Sequence, residues 1–127
     1  MGLIKRHQDL DVYWNAVGLA SELYSRTTRW PKEEQRAMTD QVRRASRSVC
    51  SNLAEAWGRR AYVNSFRAKI VDAISEACET SCWIDLAAEI GYLNAEEAKH
   101  FSDRCEHIIS QLHAMRIHAK RWSYNAS

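Results

Sequence analysis

Residues 43–60 read RRASRSVCSNLAEAWGRR, with five arginines in eighteen positions. Between them Val49, Leu53 and Trp57 recur in steps of four, the spacing of a helix face. At about 100° per residue, Met38, Val42, Ala45, Val49, Leu53 and Ala56 fall within an arc of roughly 80°, which is a core face. Beside it runs a narrow polar stripe of Gln41, Arg44, Ser48, Asn52, Glu55 and Arg59. Arg36, Arg43 and Arg47 form a third group on the far side, directed to solvent, so the arginines are not one patch. Asn52 also stands in the heptad register of the core, where burial requires hydrogen-bond partners. Glu55 and Arg59 have the (i, i+4) spacing of a favourable pair.

Working outward, the punctuation divides the chain into four helices, expected at about 9–28, 31–58, 64–90 and 95–121. Asp9 or Asp11 caps the first, whose face reads Leu10, Tyr13, Val17, Ala20 and Tyr24. Pro31 suits the first turn of the second, and Gly58 its end, with Arg59 and Arg60 complementing the negative pole of the helix dipole. The third seam reads Phe66, Ile70, Ala73, Ala77, Thr80, Ile84 and Ala87, and the helix stops at Gly91. Asn94 with Glu97 makes a capping box, and the last seam is Ala98, Phe101, Cys105, Ile108, Leu112, Met115 and Ala119. Long heptad-spaced helices with short connections predict one all-α domain, an antiparallel up-down-up-down four-helix bundle.

The 127 residues are long enough for a hydrophobic core. No apolar run approaches the ~18 residues of a membrane span. The opening MGLIKRHQDL has no apolar signal-peptide core, so a cytoplasmic setting is expected. Cys50, Cys78, Cys82 and Cys105 fall within helical patterns and read as free thiols behaving as small hydrophobes; a metal site on Cys78 and Cys82 with His107 is not expected. Residues 26–69 hold eleven Lys/Arg against four acids, and residues 70–106 hold two against nine. This polarity suits an anionic partner, or equally subunits that attract one another. Apolar residues off the seams, among them Trp14, Trp83 and Leu86, point to self-association.

No Gly-rich phosphate loop, nucleophile elbow or H-E-x-x-H motif occurs, and the five histidines are scattered, so neither enzymatic activity nor a cofactor is expected. Two functions remain. In one, Arg36, Arg43, Arg47, Arg59 and Arg60 contact phosphates while Trp57, Tyr62 or Trp30 stacks on unpaired bases. In the other, the same arginines pair with acidic residues of neighbouring subunits in a scaffold that binds no nucleic acid.

The stretches WPKEE (30–34), QVRRASRSVCSNLAEAWGR (41–59) and GYL (91–93), with Leu10, Val12 and Trp14 near the start, resemble the four-helix-bundle proteins of the 23S ribosomal RNA intervening-sequence family. The likeness covers roughly residues 8–120, and the polar stripe of the second helix falls on the positions its motif emphasises. Two residues depart from the pattern: Ala56 stands where relatives carry Gly, and Cys50 where Pro is frequent, which removes the usual cause of a mid-helix irregularity. The resemblance implies a small bundle assembled as a homopentamer and associated with bacterial ribosomal RNA genes, and it favours RNA as the partner.

Overall fold

The computed structural model describes residues 3–123. Four long helices form it: α1 (Asp11–Thr27), α2 (Met38–Gly58), α3 (Val63–Ile90) and α4 (Ala95–Ile117), followed by a short α5 (Ala119–Trp122). Each helix packs against the next, α4 returns to α1, and the backbones of the diagonal pairs do not approach closely. This is the up-down-up-down bundle expected, with no strand among the described residues.

The seams of α2, α3 and α4 are those read from the sequence. Val42, Leu53, Phe66, Ile70, Ile84, Ile108 and Leu112 meet in the centre with essentially no exposure. Thr80 is tolerated there because its hydroxyl donates to the Glu76 carbonyl one turn back, at 2.8 Å. Cys105 is buried in the same layer.

In α1 the expected face is displaced. Val12, Ala16, Leu19 and Leu23 are buried, whereas Tyr13, Val17 and Ala20 are half-buried and Tyr24 is exposed. This helix carries two apolar stripes with the same three-and-four spacing; the more aliphatic one enters the core, and the aromatic one flanks α2.

The second helix starts seven residues later than expected. Pro31 leads into a short 3-10 turn at Lys32–Glu34, and α2 begins at Met38. The delay has a physical cause in the burial of Trp30 against Tyr92, with ring centroids 5.5 Å apart. Glu34 then takes two partners, accepting from the Tyr92 hydroxyl at 2.8 Å and from the Met38 backbone N–H at 3.3 Å. Downstream, α2 runs unbroken through Cys50 to Gly58.

The other boundaries lie close to expectation. Gly91 ends α3 in the left-handed region at φ 92°, where a glycine carries no Cβ penalty. The Asn94–Glu97 capping box forms with bonds of 2.8 and 3.0 Å. The last helix divides at His118, leaving α5 as a separate turn rather than the continuation to residue 121 expected. At the α1–α4 seam the Asn15 amide donates to the Gln111 side chain at 2.9 Å. Arg104 crosses the open backbone at Gly18 to reach Glu22 at 2.6 Å.

Candidate nucleic-acid interface

The three faces read on α2 are present, but their arginines have different fates. The core face is buried throughout, from Met38 to Ala56. The polar stripe runs along the border with α3 and is largely occupied by that packing. Glu55 pairs with Lys69 of α3 at 2.7 Å rather than with Arg59, and Lys69 also meets Asp72 at 3.5 Å. Arg59 instead donates to the Ser65 hydroxyl at 3.4 Å. The Lys69 ammonium holds the Glu55 carboxyl below its ordinary range, first through their hydrogen bond, with Arg59 a smaller influence. Burial raises the Glu76 carboxyl, and nearby Arg44 partly opposes the rise. Asn52 is half-buried and donates to the Ser48 carbonyl of its own helix at 2.8 Å. The stripe therefore joins two helices.

On the far side, Arg47 is exposed as expected; Arg36 is exposed too, but it lies in the turn before α2 rather than on the helix. Arg43 is not directed to solvent. Its guanidinium lies 4.4 Å from the centre of the Tyr24 ring and donates to the Thr27 hydroxyl at 2.9 Å and the Tyr24 carbonyl at 3.2 Å. It thereby satisfies the Tyr24 carbonyl and the Thr27 hydroxyl in the last turn of α1, a packing role. Arg47 flanks the same ring at 5.9 Å while remaining open to solvent.

Two of the expected stacking residues are unavailable. Trp30 is 6% exposed and Trp57 7% exposed, so neither presents a ring face to a base. Trp57 donates its indole N–H to the Lys5 carbonyl at 3.3 Å and meets Trp122 edge-on at 5.8 Å. Arg60 lies over the Trp57 ring at 3.7 Å and donates to the Trp57 carbonyl at 3.0 Å, capping the end of α2. Tyr62, two residues on, is 74% exposed. The Ser123 hydroxyl donates to the Arg60 carbonyl, which fastens the end of α5 to the α2–α3 turn. Beside it a cleft of about 470 Å³ opens between the N-terminal segment, α1 and α4, walled by Leu10, Val12, Met115 and Trp122, with Arg121 among its lining.

The sequence reading missed the way Lys5, Lys120 and Arg121 join Arg59 and Arg60 at this end. The signal was available in the topology, since an up-down-up-down chain brings the start of α1, the second turn and the end of α4 to one side.

The thiols divide into two classes. Burial pushes Cys50 up to about 11 and Cys105 up to about 12, so both are protonated and inert at neutral pH. Cys78 and Cys82 are exposed on α3, contrary to their expected burial. Among the described residues no group of three His, Cys, Asp or Glu side chains is placed to hold a metal ion, and no helix is long and apolar enough to cross a membrane.

Comparison with known proteins agrees with this architecture. The model of the 23S rRNA-intervening sequence protein family matches residues 8–114. A crystal structure from Bacteroides thetaiotaomicron VPI-5482, described as a protein of unknown function from the S23 ribosomal protein family, superposes with a TM-score of 0.71 at 23% identity. The alignment covers 83% of this chain and 97% of that one. No curated protein matches the chain.

Proposed function

The chain belongs to the 23S rRNA-intervening sequence protein family, and from that premise we propose that it is a non-enzymatic, RNA-binding bundle that works as a homo-oligomer in the cytoplasm. The observation that carries the reading is the outward strip of α2. Arg47 on the helix and Arg36 in the turn before it are exposed and have no carboxylate partner among the described residues. Exposed cations left without a carboxylate partner among the described residues suit phosphate contact of low sequence preference. The resemblance supplies the number five for the assembly. Exposed Trp14, Tyr24, Val71, Leu86 and Ile90 supply apolar surface for it. A ring would repeat the strip around its axis and multiply a modest positive field.

A protein-interaction scaffold is the second reading. It is favoured by the engagement of Arg43 with Tyr24 and Thr27, which takes that residue from the expected phosphate-binding set.

Titration of labelled structured RNA at two salt concentrations separates the readings. The wild type should bind more weakly as salt rises, and an Arg36→Glu/Arg47→Glu variant should lose about tenfold or more in affinity at the lower salt. Absence of salt-dependent binding by the wild type would falsify the RNA reading and leave the scaffold. Equal binding by an oligomeric double variant would remove the α2 strip as the contact surface.

A further inference from the structure

The bundle is electrically uneven from end to end. At the α1–α2 and α3–α4 turns the charges nearly balance, Arg26, Arg29, Lys32 and Arg36 standing against Glu33, Glu34, Glu89, Glu96 and Glu97, with Arg26 paired to Glu97. The opposite end gathers Lys5, Arg6, Arg59, Arg60, Lys120 and Arg121 from three segments distant in sequence, against Asp9 and Asp11. Asp9 is engaged by the backbone N–H groups of Lys5 and Arg6 and by the Arg6 guanidinium. The three segments are fixed to one another through Trp57, whose ring contacts the Lys5 carbonyl, the Arg60 guanidinium and Trp122.

Lys5, Arg59, Lys120 and Arg121 are exposed, and none makes an ion pair among the described residues. At the same end Tyr62, whose backbone N–H donates to the Arg59 carbonyl at 3.1 Å, precedes the first turn of α3 and is 74% exposed. A ring that is mostly open to water contributes little to the fold. Set among cations, it has the chemistry of a stacking platform.

We propose that this end of the bundle binds an unpaired segment of RNA, with Tyr62 stacked on one base and Lys5, Arg59, Lys120 and Arg121 contacting the flanking phosphates. The inference rests on the RNA-binding reading above and adds to it the class of RNA and a second surface, distinct from the α2 strip. Bases within a duplex have their faces covered by neighbours, so an aromatic side chain selects a strand whose bases are free to splay. On the α2 strip the one ring beside Arg47, Tyr24, has Arg43 lying over it at 4.4 Å, so that surface contacts phosphates of paired and unpaired RNA alike.

The test is fluorescence anisotropy with two labelled RNAs of equal strand length, one unpaired and one a blunt-ended duplex, using the full chain. Tyr62→Ala should weaken binding of the unpaired strand by about tenfold and leave duplex affinity unchanged, while Tyr62→Trp restores the unpaired strand. Lys120→Gln/Arg121→Gln should lower the slope of log affinity against log salt on the unpaired strand by about 1.4, two phosphate contacts at ~0.7 each. Wild-type binding that both variants leave unaltered, with unchanged helical circular dichroism, overturns this inference alone. Wild type that binds neither RNA removes the inference together with the reading beneath it.

Discussion

Glu97 accepts three hydrogen bonds from two partners with one carboxylate. It completes the capping box by accepting from the Asn94 N–H, and it holds the Arg26 guanidinium across the α1–α4 seam in a two-point contact, one bond of which is 2.8 Å. Arg26 also reaches the Tyr92 carbonyl at 3.5 Å. Arg26 first, and the Asn94 N–H second, hold the Glu97 carboxyl down at about 2 from its ordinary 4.5. A depressed folded-state value stabilises the fold where the unfolded chain is also ionised. The contribution is therefore complete above about pH 5 and is lost as pH falls through 4.5 towards 2. Because the two side chains keep 20% and 25% exposure, solvent screening reduces the pair's worth. Glu97→Gln should cost about 1–2 kcal/mol at pH 7 by denaturant titration. The gap to wild type should close between pH 4.5 and 2, and a gap independent of pH would show that the ion pair does not stabilise the fold.

At the scale of elements, the start of α2 depends on a residue outside it. Glu34 caps the Met38 N–H while anchored by the Tyr92 hydroxyl, so Glu34→Ala should cost about 1 kcal/mol. Hydrogen exchange should accelerate selectively in the first turn of α2, and uniform acceleration along the helix would count against capping as the cause. This element also shows where sequence reading stops. The seams of α2, α3 and α4 were legible because each has one apolar stripe of regular spacing. The boundary at Met38 was hidden because Trp30-Pro31 satisfies the rules for a helix start, whereas the deciding contact, Trp30 on Tyr92, joins positions far apart in the chain. In α1 the periodicity was equally true of Val12–Ala16–Leu19–Leu23 and of Leu10–Tyr13–Val17–Tyr24. Only the placement of α2, with Arg43 and Arg47 against Tyr24, decides between them.

For the whole molecule, the linear division into basic and acidic halves gives way to a division by ends and seams. Antiparallel packing sets Lys69 against Glu55 and Arg44 near Glu76, and leaves the basic residues of the chain ends together. The wheel separated the core face of α2 from its polar stripe, but not the packing of Trp57 and Arg43, whose partners Lys5, Trp122, Tyr24 and Thr27 lie on other segments. Assembly is the remaining property at this scale. Light scattering at micromolar concentration should give a mass several times the 14.7 kDa of one chain, about fivefold if the ring has five members. A single-chain mass at both low and raised salt would exclude the oligomer. Dissociation on raising salt would assign the contacts to charge rather than to Trp14, Leu86 and their neighbours.

The bond between Asn15 and Gln111 spans 96 positions. On a translating ribosome adding roughly 5–20 residues per second, the first helix waits on the order of 5–20 s for the partner that closes the bundle. During that interval α2 and α3 can already pair, while Val12, Leu19 and Leu23 lack one wall of their shelter. Neighbouring nascent chains on the same messenger expose the same helix at the same stage. Exchange of α1 between them is thus the misassembly that this topology leaves most open, and growing the cells at lower temperature, which slows synthesis, lengthens the exposure.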